Sequence, residues 1–488
     1  MGFKTDTSFL HFLSLGAMGV RQTMSQLHAI GFRPIELERY CTCNKIWMTK
    51  VKRLRLPDLL CVRTGIRFEV RAKSDLKIKV SDAPRNPDRT WDFGLRNEDI
   101  IAFIGIRQEQ GDPGPADEAM FFSTESLRGS IDKSTLGPPK SASEGAERDR
   151  TWPAIVPSDN GIVESVTRTK LVVTMTGDGG RQRRQTYTLN GKHVYVRPGD
   201  RFKKGLSILA GAPSEMAEVT SLLSREYNPL DDLLKQNPLD RYAAVKAIAH
   251  REDLRPQAIP ALESLLRSEQ DERVSLEAAG SSASLGSSLG QERIEAVLWG
   301  DGRKDLRMEA VLILTELGSQ FSKNELVRIA QSRQLEGDEI RQAAVWGLGK
   351  AGLKDYEAIL PFIADADENV ALHAIAAFGP DTQEPVIRKL VQKLTSGDPR
   401  VAAAASEALR LIGNETTVRV LVEATSAGGD WVLATLGRMP PQLVTNIVSS
   451  SELMAQLAPL LLLNECENWL AREEHVIDLA FLIKQNLS

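Results

Sequence analysis

From residue 7 to residue 30 the apolar side chains Phe9, Phe12, Leu13, Met18, Met24 and Leu27 recur at helical spacing, and Gly31 follows. That pattern predicts one amphipathic helix ending at the glycine. The run FLHFLSLGAMGV within it reads as the buried face of this helix. It is not a signal-peptide core, because Asp6 precedes it, His11 interrupts it and no cleavage site follows Arg21. Next, RPIELERY (33–40) alternates like a strand, and NKIWMTKVKRLR (44–55) reads as a second strand with a basic face. RLPDLLCVRTGIRFEVRAKSD (55–75) reads as a hairpin turning at Thr64-Gly65. DIIAFIGIR (99–107) is an apolar run of the kind found in buried strands, EAMFFST (118–124) predicts a further strand, and ESLRGSID a short helix. The order predicts a small α/β domain over residues 1–135.

Residues 136–150, LGPPKSASEGAERDR, are rich in Pro, Ser, Gly and charge and predict a linker. Residues 151–213 change register to short strands, GIVESV, KLVVTMT, QTYTLN and HVYVRPGDRFKKGLSILAG, separated by Gly, Asn and Asp turns. This is an all-β barrel or sandwich. VYVRPGDRFKKGLSILAG (194–211) with GIVESVTRTKLVV (161–173) resembles the sandwich–barrel hybrid module of the RNA polymerase β subunit and of lipoyl-type domains. No Met-Lys-Met or Asp-Lys-Ala turn is present, so a biotin or lipoate carrier is not implied.

Residues 214–488 read as helical and repetitive. Val274, Leu306, Ile340, Val370 and Val401 lie 32, 34, 30 and 31 residues apart, each in a helix-like segment. Four residues after each stands Ala278, Ala310, Ala344, Ala374 or Ala405, small enough to let two helices approach closely. A repeat of this length built on helix pairs predicts an α-solenoid, and the segments resemble HEAT repeats. DRYAAVKAIA (240–249) reads as an earlier copy, and the segment from Leu443 to Ala471 as the capping helices.

Charge sharpens this picture. The 488-residue chain has a net charge of -4, but residues 21–107 carry +8 and residues 181–204 carry +7, leaving about -19 elsewhere. The two positive zones are where a phosphate backbone would bind, and each reads equally as a solvated basic surface. The four cysteines, Cys41, Cys43, Cys61 and Cys466, form no disulfide framework and read as buried thiols, with zinc the lesser reading, so an intracellular, cytoplasmic protein is expected. No stretch has the length of a membrane span. No Walker loop, Rossmann glycine fingerprint or serine elbow occurs, so ATP use by this chain is not expected.

Within the hairpin, a turn at Thr64-Gly65 would set Asp58 opposite Arg71, with Glu69 and Lys73 as diagonal neighbours on the same face. Two carboxylates can hold a hard divalent cation, and a neighbouring cation can orient water or neutralise charge on a phosphate. Here the chain resembles the PD-(D/E)xK nucleases over roughly residues 7–135. Pro57-Asp58 stands at the family's "PD", Glu69 at its second acid, and Arg71 where the family has lysine, with Lys73 two residues further on. The resemblance implies Mg²⁺ or Mn²⁺ on Asp58 and Glu69. Lys73 would be the cation that positions or deprotonates water, because arginine is almost never available as a base, and Arg71 would clamp a phosphate. Asp58–Arg71 and Glu69–Lys73 also read as plain cross-strand ion pairs. Glu36 or Glu38 would add a carboxylate or form a surface salt bridge. Lys50 and Lys52 share one face of the second strand and Arg53 and Arg55 the other, as a nucleic-acid-binding strand or as a plain basic edge. Trp91 reads as a packing anchor.

The expected architecture is therefore multidomain: a restriction-endonuclease-like α/β domain, a small all-β barrel or sandwich, and an all-α HEAT-repeat solenoid. The expected activity is a Mg²⁺-dependent nuclease, with DNA favoured over RNA, a protein partner on the acidic solenoid and a homodimer pairing two active sites. This chassis resembles bacterial restriction and antiphage effectors. The alternative is a non-catalytic nucleic-acid-binding adaptor whose repeats recruit protein partners.

Overall fold

The computed structural model of the protein describes residues 7–37, 39, 47, 49, 54–109, 112–116, 118–141, 146–177, 179–214, 216–335, 338–350, 352–427 and 429–470. The chain divides into two compact units, one of residues 11–42 and 53–285 and one of residues 1–10, 43–52 and 286–488.

The first unit opens on α1 (Thr7–Ile30), which ends where Gly31 takes φ +112. Its main sheet runs β1 (Pro34–Glu36), β2 (Leu59–Cys61), β3 (Arg67–Lys73), β5 (Ile100–Glu109) and β6 (Asp112–Ala116), and β7 (Met120–Ser123) also pairs with β5. β3 and β5 are parallel, and the other pairs are antiparallel. Phe68 and Val70 of β3 pack under Leu15, Val20 and Leu27 of α1. The helix comes so close at Gly19 that a Cβ there would meet that of Ala72 at 2.6 Å. Ile101 and Phe103 on the opposite face join a second core with Ile78, Trp91, Phe122 and Trp152. Trp91 is a packing anchor, edge-on to Trp152 with ring centroids 5.3 Å apart. After β7 comes the short helix α2 (Thr124–Gly129), capped by the Ser123 hydroxyl.

Residues 136–139 and 148–150 of the expected linker are strand. β8 (Thr135–Pro139) and β9 (Arg148–Thr151) pair in a second sheet with β4 (Lys79–Asp82), in the order β4-β9-β8. Their polar composition reflects exposure rather than lack of structure: β8 is mostly exposed and β9 half-buried. The strand predicted over 33–40 shortens to Pro34–Glu36. The one predicted over 44–55 falls mostly outside the described residues.

The all-β segment forms two small sheets. One is β10 (Ala154–Ile155), β16 (Ala210–Gly211) and β14 (His193–Val194); the other is β13 (Gln182–Thr188), β12 (Lys170–Thr176), β11 (Asn160–Val166) and β15 (Arg201–Phe202). Val163, Leu171, Val173, Met175, Phe202 and Leu209 fill the core between them. Ile208 and Ala212 leave this segment to join the Trp91–Trp152 core. The unit continues through α3 (Pro229–Asp232), α4 (Pro238–Ala249), α5 (Arg255–Ser268) and α6 (Glu272–Ser284). Leu60 and Val62 pack against Ala243 and Ala247 of α4. Arg39 makes a buried two-pronged ion pair with Glu277 of α6, its second arm 2.6 Å long.

The second unit is helical: α7 (Ser288–Trp299), α8 (Lys304–Leu317), α9 (Gln320–Gln331), α10 (Glu339–Leu348), α11 (Tyr356–Ile359), α12 (Glu368–Ala376), α13 (Glu384–Leu394), α14 (Pro399–Ile412), α15 (Glu415–Ala424), α16 (Asp430–Gly437), α17 (Pro441–Ile447) and α18 (Ser451–Leu470). One row stacks α8, α10, α12, α14, α16 and α18 in succession, and α13, α15 and α17 form a second row. Ala310, Ala344, Ala374 and Ala405 are completely buried in the first row. Asp338, Asp367 and Asp398 cap α10, α12 and α14 by accepting backbone N–H groups of the first turn. Arg341 reaches from α10 to the Asp365 carboxylate, with a 2.9 Å contact from Nη1. Among the described residues no helix is long and apolar enough to cross a membrane.

Candidate functional site

The hairpin register differs from the one the sequence predicts. The Cys61 N–H donates to Ile66 O at 2.9 Å, and Leu59 and Leu60 pair with Phe68 and Arg67. Residues 62–65 therefore form a four-residue loop in place of a two-residue turn. Gly65 makes it possible, with φ +69 and a path so close to Tyr227 that a Cβ would sit 2.6 Å from the ring. The pairing moves by two residues, so every side chain keeps its face but changes its opposite number. One position beyond the ladder, Asp58 stands beside Glu69, not opposite Arg71.

Asp58 lies where β2 stops pairing, and its Oδ2 accepts the Val70 N–H at 2.7 Å. The carboxylate thus takes the place of a strand partner for β3. Glu69 and Arg71 form an ion pair at 2.6 Å, replacing the predicted pairs Asp58–Arg71 and Glu69–Lys73. Arg71 Nε is buried without a hydrogen-bond partner among the described residues. Glu69 and Arg71 register with Ile101 and Phe103, at the margin of the second core. Burial, together with the nearby positive charges of Lys79 and Arg71, brings the Lys73 ammonium down to about 8.

Lys79, Lys140 and Asp149, all on or next to the β4-β9-β8 sheet, complete this neighbourhood. Asp149 accepts from Lys79 at 2.8 Å and pairs with Lys140 at 2.9 Å. Burial opposes its ionisation, but these two ammonium groups outweigh it and hold the carboxyl at about 2. Sequence reading missed Lys140 and Asp149 because they lie within the stretch, 136–150, whose composition predicts a linker. The alternation of Lys77 and Lys79 directly after Lys73 was the available signal.

Glu36 does not join the cluster. It pairs with Leu59, which pairs with Phe68, so it belongs to the α1 side of the sheet. Arg55 donates to Asp88 O at 2.8 Å and lies 3.9 Å from Glu147. Lys50, Lys52, Arg53, Glu38, Cys41 and Cys43 lie outside the described residues. Cys61 is a free, buried thiol. Arg67, on the same strand face, is consumed structurally. It is 2% exposed, pairs with Asp240 of α4, and its backbone N–H donates to Asp99 Oδ1 at 3.0 Å.

Among the described residues no three His, Cys, Asp or Glu side chains are grouped to hold a metal ion.

Residues 356–437 match the HEAT repeats. No curated protein matches the chain. Among solved structures, the complex of CpcE and CpcF of phycocyanin lyase from Nostoc sp. PCC7120 is similar at 20% identity, over 49% of this chain and 96% of that one, with a TM-score of 0.25. An engineered protein is similar at 17% identity, over 48% and 96% of the two chains, with a TM-score of 0.19. Neither superposition is close enough to carry an argument. Stacked helical repeats of this kind present extended surfaces.

Proposed function

We propose that the chain is a metal-dependent nuclease whose HEAT repeats bind a protein that targets or restrains it. The observation that carries this reading is the grouping of Asp58, Glu69 and Arg71 with a lysine brought to about 8 by its surroundings. Mg²⁺ or Mn²⁺ on the two carboxylates would supply an activated water and neutralise phosphate charge. Lys73 Nζ would position or deprotonate the attacking water, which an amine brought to about 8 can do and an arginine cannot. Arg71, half-buried and paired with Glu69, would clamp a phosphate oxygen through the exposed part of its guanidinium. Duplex DNA is the favoured substrate, and a homodimer would pair two such sites.

The test is cleavage of supercoiled plasmid, linear duplex, single-stranded DNA and RNA with Mg²⁺ or Mn²⁺. Wild type is compared with Asp58→Asn, Glu69→Gln, Arg71→Ala and Lys73→Ala. Metal-dependent cutting by wild type that disappears in the two carboxylate variants is the expected result. Cutting that survives both, or a wild type that never cuts with or without its repeat-binding partner, rejects the reading. The adaptor reading has its own support: Asp58 and Glu69 already engage Val70 and Arg71, as purely structural carboxylates would.

A further inference from the structure

The outer face of the four-stranded sheet β13-β12-β11-β15 belongs to neither the candidate active site nor the helical rows. Its register aligns Arg184 of β13, Thr174 of β12, Ile162 of β11 and Arg201 of β15 in one cross-strand row. The flanking positions on that face are Asn160, Thr176 and Gln182 on one side, and Val172, Thr186, Lys170 and Thr188 on the other. The core residues Leu171, Val173 and Met175 point the other way, as does Tyr187, which pairs with Leu171. The exposed face therefore carries no aromatic ring, and Ile162 is 41% exposed at its centre.

Two observations give this face a partner. The first is uncompensated charge. Lys170 and Arg201 on this face, and Arg168, Arg181, Arg197 and Lys204 in the turns next to its strands, are exposed and make no ion pair among the described residues. Arg184 shares Glu164, the extra residue of a β-bulge in β11, at 2.6 Å. Exposed cations elsewhere in the chain are paired in some cases, as in Arg303–Asp305 and Arg388–Glu423, and unpaired among the described residues in others, as at Arg85 and Arg293, but those stand apart in the chain. Six unpaired cations on and beside one small sheet of a net-acidic chain make a local positive field that suits an external anion. The second is spacing. Arg184 and Arg201 are three strand intervals apart, about 14 Å, comparable with the ~12 Å width of a DNA major groove between its two phosphate strands.

The geometry points to this face as a duplex-DNA backbone-binding surface that acts without regard to base sequence and separately from the cleavage chemistry. Single strands are held chiefly by bases stacked on aromatic rings, and this face has none. Thr174 in the central row already donates its hydroxyl to Glu164, whereas Thr176, Thr186, Asn160 and Gln182 on the same face can donate to phosphate oxygens and fix position without reading sequence. The inference stands whether or not Asp58 and Glu69 cleave anything.

The experiment measures binding of the full-length protein to a labelled mixed-sequence DNA duplex, to its single strand and to heparin, across a salt series in EDTA. Metal-dependent cleavage cannot enter, so failure of the nuclease reading leaves this result intact. Wild type is compared with the triple variant Lys170→Glu/Arg201→Glu/Lys204→Glu. The neutral triple Lys170→Gln/Arg201→Gln/Lys204→Gln is the second variant should charge reversal disturb folding, which thermal melting reports. Wild type should bind duplex more tightly than single strand. The neutral triple should lose at least about tenfold in affinity, and its log–log salt slope should fall by about two to three, close to 0.9 for each phosphate contact removed. An unchanged affinity and slope in a folded triple variant overturns the proposal. So does a wild type that prefers single strands, or one that binds heparin and not duplex.

Discussion

Asp58 Oδ2 accepts the backbone N–H of Val70 at 2.7 Å, so the carboxylate proposed as a metal ligand also stands in for a strand partner of β3. The two roles separate by substitution. Asp58→Asn retains an oxygen acceptor for Val70 and should keep stability near wild type while abolishing metal-dependent cleavage. Asp58→Ala leaves that N–H without its partner and should cost about 1–3 kcal/mol in urea unfolding. Equal stability losses in the two variants would contradict the capping role.

Lys73 gives the site a pH signature. Its folded value of about 8 lies below the ordinary 10.5, so burial penalises the charged form in the native state. Below about pH 8 both states hold the proton and the penalty is complete. Between about 8 and 10.5 the folded chain has released a proton that the unfolded chain retains, and stability rises with pH. Urea midpoints taken below pH 8 and near pH 10 should show this gain in wild type and not in Lys73→Met. If Lys73 is the base, cleavage should also rise through about pH 8, and Lys73→Arg should not restore it.

Arg67 and Asp240 join β3 to α4 through a buried pair, with side-chain exposures of 2% and 13%. Removing one partner strands a buried charge. Asp240→Ala should destabilise by about 3–5 kcal/mol, and Asp240→Asn, which keeps an acceptor, by less. Chemical denaturation of both variants checks the order.

Gly65 cannot take a side chain without loss. Its φ of +69 costs an L-residue about 1–2 kcal/mol, and a Cβ would meet the Tyr227 ring at 2.6 Å. Gly65→Ala should lower the melting temperature and weaken cleavage together, because the loop sets the register that brings Asp58 beside Glu69.

In the helical rows, Ala374 is completely buried in α12. Ala374→Leu overpacks that position and should cost about 1–3 kcal/mol, read as a loss in the urea midpoint. Since Ala374 lies in the second unit, metal-dependent cleavage should persist in whatever fraction remains folded.

The sequence made the helical repeats legible because their signal is periodic and local: an anchor, then alanine one turn later, five times over. α1 and β5 were legible for the same reason, one through helical spacing and the other through an unbroken apolar run. The hairpin faces were also readable, since a two-residue register shift preserves them. The register itself was not, because Gly65 fits a two-residue turn as readily as a four-residue loop, and Tyr227, which crowds it, lies far along the chain. β8 and β9 were hidden for a different reason. They are polar, partly exposed strands held by pairing to β4 rather than by an apolar face of their own. Of the candidate site, residues 57–73 were visible in order, whereas Lys140 and Asp149 reach Lys73 only through that sheet.

Ile208 and Ala212, packed among Trp91, Phe122 and Trp152, bear on how the chain can be divided. A fragment ending at residue 135 or 150 would lose Trp152, Ile208 and Ala212 and leave Trp91 and Phe122 facing water, and the shorter one would also strip β4 of β9, so each should be recovered as aggregate. Any rearrangement that exchanged the all-β segment for a foreign one would have to rebuild the same buried wall. The segment is therefore inherited with the sheet that carries Asp58 and Glu69, whereas a helical pair added to or lost from the second unit leaves that wall untouched.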